Sequence, residues 1–332
     1  MKHILITDYA EALRLDHNML VVWQDKEKKL EYPLSKIKTI TICSKGVSLS
    51  SDLILQCAER GIKIFFLDFR GIQVAGVSPL NNHSISLVRK AQFKFVESVE
   101  AREVAREFII GKIHNQESVI KYFAKYINRS SEEYKKEIIN KGLTEIEKIL
   151  NVLENIKLDR ENWRDIILGL EGKAADIYWK TLKETNLLSS DFYEREGRGA
   201  KTISNQALNF GYSILFSVIW HCVVNAGLEI YEGILHTFRP GKPALVLDIM
   251  EEYRAWVVDR VIIKFRNFFD KKTELDRDCK NLILTEIHKT IGKKYPYHNK
   301  RVKLENIIQR QIYKLSATFQ GAKKYKPYLF RW

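Results

Sequence analysis

The hydrophobic positions of this chain change period once. Up to about residue 85 they come in short runs, several of which alternate. Ile4-Leu-Ile-Thr reads as a first strand. Ala12-Leu-Arg-Leu and Met19-Leu-Val-Val-Trp flank Asp16-His-Asn, a turn signal, and predict a hairpin. Lys29-Leu-Glu-Tyr and Thr39-Ile-Thr-Ile alternate as half-buried strands do. Ser50 or Ser51 caps a predicted helix through Glu59, with Leu53, Ile54 and Cys57 facing inward and Gly61 ending it. Ile62–Asp68 and Ile72–Val77 read as two more strands. Short strands at close spacing with one helix predict a small β-sandwich or roll.

After Pro79–His83 the apolar spacing shifts to three and four, as in Phe93, Val96 and Val99, or Ile138, Ile139, Ile146, Ile149 and Leu150. Helices are predicted over 86–127, 131–156, 160–187, 204–226, 248–268, 274–291 and 301–317. The expected fold is therefore α+β: a small N-terminal β-sandwich-like domain over 1–85, then a larger all-α domain over 86–332. The longest apolar run, Phe210 to Ala226, contains His221 and Asn225, is short for a membrane span and reads as a buried core helix.

Charge adds a partner to this picture. The chain has 332 residues and a formal net charge of +14. Residues 1–85 hold 11 Lys/Arg against 9 Asp/Glu, whereas 271–332 hold 16 against 5. An excess this local predicts a polyanion, most simply nucleic acid bound along its phosphates. Tyr295–Arg301 and Gly321–Trp332 mix cations with aromatics, which suits phosphate pairing and stacking; aromatics docking a tail onto the core explain them equally well. Cys43, Cys57, Cys222 and Cys279 show no metal or redox spacing and read as free thiols of a cytoplasmic protein. Asp8 arrives too early for a secretory leader, and no amphipathic membrane anchor is visible, so no membrane partner is expected.

Candidate chemistry centres on Gly233–Arg254. His236 closes an apolar run, a turn follows with Arg239, Pro240, Gly241, Lys242 and Pro243, and a helix is expected to carry Asp248, Glu251 and Glu252 in its first turn. These acids share a face, which points to water or to a cation. One histidine with carboxylates suits Mn²⁺ or Mg²⁺ better than structural Zn²⁺. A solvated acidic first turn favoured by the helix dipole is the competing account. Glu171 stands between Leu170 and Gly172-Lys-Ala-Ala, small residues that permit close approach. It reads either as a carboxylate needing a partner or, on helix reasoning alone, as an exposed residue beside Lys173. The loop over 191–203 meets phosphate through Arg195, Arg198 and Lys201, or is a plain connector.

Several motifs in order then carry a resemblance. They are Gly46-Val-Ser-Leu-Ser, Gly61-Ile-Lys-Ile-Phe-Phe-Leu-Asp, Arg89-Lys-Ala-Gln, Leu170-Glu-Gly-x-Ala-Ala-x-x-Tyr-Trp, Asn205-x-Ala-Leu-Asn-Phe-Gly-Tyr, Leu235-His-Thr, Leu247-Asp-x-Met-Glu-Glu-Tyr-Arg and the final Tyr-x-Pro-x-x-x-x-Trp. Together they resemble the CRISPR-associated adaptation integrases, the Cas-one family. The resemblance implies a metal-dependent DNA integrase and endonuclease that inserts short fragments into a repeat array by attack of a 3′-hydroxyl on a phosphodiester. It implies metal ligands Glu171, His236 and Glu251, with Asp248 a further ligand or the group that orients His236. It also implies double-stranded DNA as substrate, a homodimer joined through the β domain, and a small second adaptation protein, Cas-two. Position 251 is Glu where some members have Asp, and the proline common before Asn205 is missing. Arg198, Lys201, Arg239, Lys242, Arg254, Lys323 and Lys324 are the expected DNA contacts. The alternatives are a structure-selective nuclease on branched DNA and a non-catalytic DNA-binding scaffold.

Overall fold

A computed structural model of the chain describes residues 2–67, 73–77, 85–127, 132–197, 199–237 and 239–331. Outside them lie Arg198, Ser131, Trp332, the Asp68 and Ile72 ends of two expected strands, and the Pro79–His83 stretch. The chain divides into two compact units, Met1–His83 and Ser84–Trp332.

The first unit contains β1 (Lys2–Ile6), β2 (Ala12–Asp16), β3 (Met19–Gln24), β4 (Glu27–Pro33), β5 (Ile37–Ile42), β6 (Ser48–Leu49), α1 (Ser51–Glu59), β7 (Lys63–Leu67) and β8 (Gln73–Val77). They form two four-stranded sheets, ordered β1-β5-β7-β8 and β4-β3-β2-β6. The expected hairpin is β2–β3, with Leu13 opposite Val22 and Leu15 opposite Leu20. His17 and Asn18 close it with φ of 41° and 65°, the left-handed pair that a twisted two-residue hairpin turn requires. Strands β1, β5 and β7 run parallel, so β5 must cross over to β7, and α1 makes that crossing. Ser50 caps α1 by accepting the Leu53 amide at 3.3 Å. Leu53 and Cys57 thereby join Ile40 and Ile64 from one sheet and Leu13, Leu20 and Val22 from the other in one core.

The second unit is mostly helical: α2 (Ile85–Val96), α3 (Val99–Ile127), α4 (Glu133–Asn155), α5 (Trp163–Glu184), α6 (Ile203–Asn225), α7 (Ala244–Arg254), α8 (Arg260–Lys264), α9 (Arg266–Phe269), α10 (Arg277–Gly292) and α11 (Leu304–Phe319). A π-helical segment, Ala255–Asp259, joins α7 to α8. Strands β9 (Lys294–Tyr297) and β10 (Lys300–Lys303) form an antiparallel hairpin before α11. Helix α3 packs against α4, α5 and α7 and is the wall on which the site is built. Helix α6 is long and apolar enough to cross a membrane by length and composition, but most of it is buried among α7, α10 and α11.

Three expectations need correction. The helix expected over 86–127 breaks at Glu97-Ser98, where the Ser98 amide and hydroxyl both turn back to the Phe95 carbonyl. The helix expected from residue 301 starts at Leu304, because Lys300–Lys303 pairs as a strand. The helix expected to start near Asp248 starts at Ala244, just after Pro243. Its first turn carries no acid, and Asp248, Glu251 and Glu252 are buried further along it. The buried run Ala244, Leu245 and Val246 extends the helix backward against the core, which the acids had obscured. The tail beyond α11 has no regular structure, yet Tyr325 and Phe330 are buried, so its aromatics dock it to the core.

Candidate functional site

Helices α3, α5 and α7 bring four charges to a common point, two of them from α7. On α3, Gly111 lets the backbones close up: a Cβ there would lie 2.6 Å from Pro327 and 3.1 Å from Glu252. The next residue, Lys112, pairs with the Glu171 carboxylate of α5 and lies 2.7 Å from Glu251 Oε2 of α7. Arg254, one turn along α7, lies 3.1 Å from the other oxygen of Glu251. Burial works against a charged Glu251, but Arg254 and Lys112 outweigh it and hold the carboxyl at about 2, with His236 adding a smaller pull. Burial likewise opposes the Lys112 ammonium, and Glu251 and Glu171 more than compensate, raising it above its ordinary value.

Asp248 has a different task. Its fully buried carboxylate accepts the amides of Ile234 at 2.6 Å, Leu235 at 3.0 Å and His236 at 2.9 Å. The same group lies 2.6 Å from Nδ1 of the His236 ring. The loop wraps this closely because position 233 lacks a side chain: a Cβ would come 2.9 Å from Asp248 Oδ2. Gln92 of the Arg89-Lys-Ala-Gln motif holds the carbonyls of Glu229 and Glu232 at 2.9 Å each, and Arg164 holds that of Ile234 at 3.0 Å. With Nδ1 engaged, the other ring nitrogen of His236 is the one left for chemistry.

Glu252 faces away from this point. It accepts the Tyr325 hydroxyl at 2.5 Å and the Tyr328 amide at 3.3 Å. Burial pushes its carboxyl up to about 8, against those two hydrogen bonds. Asn115 of α3 donates to the carbonyls of Glu252 and Tyr328 and accepts the Phe330 amide, so the tail is laced to both helices.

A cavity of about 180 Å³ opens beside the charged cluster, lined by Lys112, Gln116, Glu171, Arg195, Tyr212 and Arg254 among others. The Asn205-x-Ala-Leu-Asn motif shapes it: Arg195 donates to Asn205 at 3.0 Å and Asn209 at 2.6 Å. Both Arg195 and Arg254 lie over the Tyr212 ring. The Tyr212 and Tyr178 hydroxyls donate to Asp259 on the π-helical segment, at 2.5 and 3.1 Å. A larger cavity of about 720 Å³ lies among the far ends of α3 and α5, and no candidate residue lines it.

Glu171 is half-buried and ion-paired rather than exposed beside Lys173, and Gly172 has nothing packed against it. Of the expected DNA contacts, Arg254 belongs to the cluster itself. Lys201, Arg239, Lys323 and Lys324 are exposed, and Lys242 is half-buried. Sequence reasoning missed Lys112, Gln116 and Asp259. The i, i+4 spacing of Lys112 and Gln116 was the available signal, but α3 carries many such polar pairs.

Do these groups suit a divalent cation? Glu171 and Glu251 already share one cation, the Lys112 ammonium. Oε2 of Glu251 is buried and has no aligned hydrogen-bond donor despite that nearby charge. Among the described residues no three His, Cys, Asp or Glu side chains converge closely enough to share one ion. The donor set is thus two carboxylates with a lysine between them and a buttressed imidazole beside them. In donor type, with Glu171 and Glu251 the pair that meets at one point, this set suits Mg²⁺ or Mn²⁺.

A β-rich unit is followed by a helical unit in which two glutamates, a histidine, a lysine and an arginine gather around α3, α5 and α7. Residues 4–291 match the family model described as CRISPR associated protein Cas1, and the chain belongs to that family. It is 43% identical to the "CRISPR-associated endonuclease Cas1 1" of Francisella tularensis subsp. novicida over 100% of both chains. It is 27% identical to the protein of the same description from Archaeoglobus fulgidus, over 99% of both. Among solved structures, a casposase bound to integration product superposes with a TM-score of 0.79 at 22% identity, covering 98% of this chain and 93% of that one. A Cas1 protein from Thermotoga maritima superposes with a TM-score of 0.73 at 18% identity, covering 98% and 100%. These two likenesses speak for the fold.

Proposed function

We propose that this protein is a metal-dependent DNA integrase and endonuclease of CRISPR adaptation, joining short DNA fragments to a repeat array. The observation that carries the reading is the convergence of Glu171 and Glu251 from two helices upon a single cation, beside a histidine held by Asp248. Glu171, Glu251 and His236 would hold Mg²⁺ or Mn²⁺; when bound, the ion supplies Lewis acidity at a phosphoryl oxygen. Asp248 then acts as a positioning residue, since its oxygens are taken by the Ile234–His236 backbone and the His236 ring. Arg254 and Arg195, both lying over the buried Tyr212 ring, present positive charge to a phosphodiester in the adjoining cavity. No protein nucleophile is required, because phosphoryl transfer depends on positioning and charge stabilisation. Attack on the target phosphorus by a DNA 3′-hydroxyl, which loses its proton as the target strand's own 3′-oxygen departs and takes one up, gives joining; the same displacement by water gives cutting.

The names of the relatives support this reading: endonuclease for the Francisella and Archaeoglobus proteins, and integration product for the casposase structure. A Cas6-RT-Cas1–Cas2 complex also superposes, with a TM-score of 0.77, and supports Cas2 as the small partner. We take the protein to act as a homodimer joined through residues 1–85, with double-stranded DNA as substrate and the cytoplasm as its compartment.

The test is strand transfer. The protein, with and without its small partner, is given Mn²⁺ or Mg²⁺, a labelled duplex with free 3′-hydroxyls and a supercoiled repeat plasmid. The expected result is label covalently joined to plasmid, absent with Glu171→Ala, His236→Ala or Glu251→Ala although DNA affinity measured in chelator is retained. Metal-dependent nicking without joining would point to the nuclease alternative; tight binding with neither would point to a scaffold.

A further inference from the structure

Lys112 is not among the groups that hold the metal in the reading above, yet its ammonium sits where a metal would be expected. It pairs with Glu171 and lies 2.7 Å from Glu251. Those two carboxylates cannot remain close and charged without a cation between them. The pairing with Glu251 is close in distance but poorly aligned, because Oε2 receives no directed hydrogen bond. Such a contact is held by charge more than by geometry, and another cation can replace it.

Along α3, one turn from Lys112, Gln116 is 4% exposed and its Oε1 has no hydrogen-bond partner. Gln116 and Lys112 line the same cavity. Residues four apart on a helix are neighbours, so a displaced ammonium has an unsatisfied acceptor within reach of its flexible stem.

We propose that Lys112 is a displaceable counter-cation: it holds Glu171 and Glu251 together in the metal-free protein and yields to a divalent ion, moving into the cavity toward Gln116. This rests on the assignment of Glu171 and Glu251 as metal ligands. The charge count gives the exchange a purpose. Glu171, Glu251, Lys112 and Arg254 sum to zero as they stand. Loading a divalent ion leaves the same groups with two surplus positive charges, and the released ammonium faces the cavity proposed for a phosphodiester. Metal loading therefore converts a neutral site into one that attracts DNA backbone, so the metal and the DNA phosphate bind with positive coupling.

The experiment is a Mn²⁺ titration of the full chain without DNA, followed by electron paramagnetic resonance, with thermal melts in chelator and in Mn²⁺. Lys112→Met removes the competitor, so its Mn²⁺ affinity is expected to rise about tenfold over wild type, the occupied-site penalty having been lifted. Its melting temperature should fall in chelator and recover with Mn²⁺. Glu171→Gln should bind Mn²⁺ more weakly than wild type. If Glu171→Gln weakens binding while Lys112→Met leaves affinity unchanged or lower, the counter-cation idea is overturned and the ligand assignment stands. If Glu171→Gln binds as wild type does, the ligand assignment fails and this inference with it. A second measurement needs no variant: acylation of the Lys112 amine, followed by mass spectrometry, should quicken in wild-type protein when Mn²⁺ is added. An unchanged labelling rate would overturn the displacement.

Discussion

Two neighbouring glutamates in α7 show how far surroundings set the character of a side chain. Glu251 is held at about 2 by Arg254 and Lys112 against the effect of burial, while burial pushes Glu252 to about 8. The consequences for stability have opposite signs. The folded chain keeps a proton on Glu252 that the unfolded chain releases near the ordinary 4.5, so stability falls as pH climbs from there to about 8. Glu251 stabilises above its unfolded value and loses that contribution as pH drops toward 2. Glu252→Gln keeps an acceptor for Tyr325 and removes the titration. Melting curves between pH 5 and pH 9 should therefore decline less steeply for this variant than for wild type, and parallel curves would refute the assignment. At Asp248, replacement by Asn puts an amide among donors that need an acceptor. Strand transfer should drop about 10–100-fold as His236 loses its orientation, with DNA affinity preserved; full activity would show that the ring is fixed by other means.

At the scale of elements, the site depends on α3 lying close to α7 and to the tail, which Gly111 permits. Gly111→Ala would force Pro327 and Glu252 aside, and overpacking of this kind costs about 1–3 kcal/mol. We expect a lower unfolding midpoint together with weaker Mn²⁺ binding, because Glu251 on α7 is carried away from Glu171 as the helices part; a midpoint equal to wild type would mean the tail gives way freely. Much of this architecture was legible in the sequence. The β2–β3 hairpin, the Ser50 cap, the change of period and α6 as a core helix all follow from local patterns. The start of α7 was not, because acids at its buried positions imitated a first turn. The hairpin β9–β10 was masked by its lysines and aromatics, which carry no alternation. Within the site, His236, Asp248 and Glu251 stood out as a short-range group. Glu171 needed the resemblance, since its partner Lys112 lies on another helix, 59 residues earlier. Lys112 itself had no distinguishing signal, as its importance comes only from three helices meeting.

For the whole molecule, the charge excess in residues 271–332 is the broadest statement the chain makes about its partner. Lys323 and Lys324 are exposed just after α11, ahead of the docked Tyr325. Changing both to Ala should weaken DNA binding and reduce the slope of log affinity against log salt by about 1–2, while leaving Mn²⁺ affinity as it was. A slope unchanged from wild type would remove this tail from the DNA-binding surface. The lacing of the tail through Asn115 also bears on time. Asn115 meets Tyr328 across 213 residues of sequence, so the closure that steadies α7 waits for one of the longest loops the chain can make. Helices form early and locally, whereas this closure comes late. On refolding from denaturant, the far-ultraviolet helix signal should return first, and the capacity to take up Mn²⁺ should lag behind it.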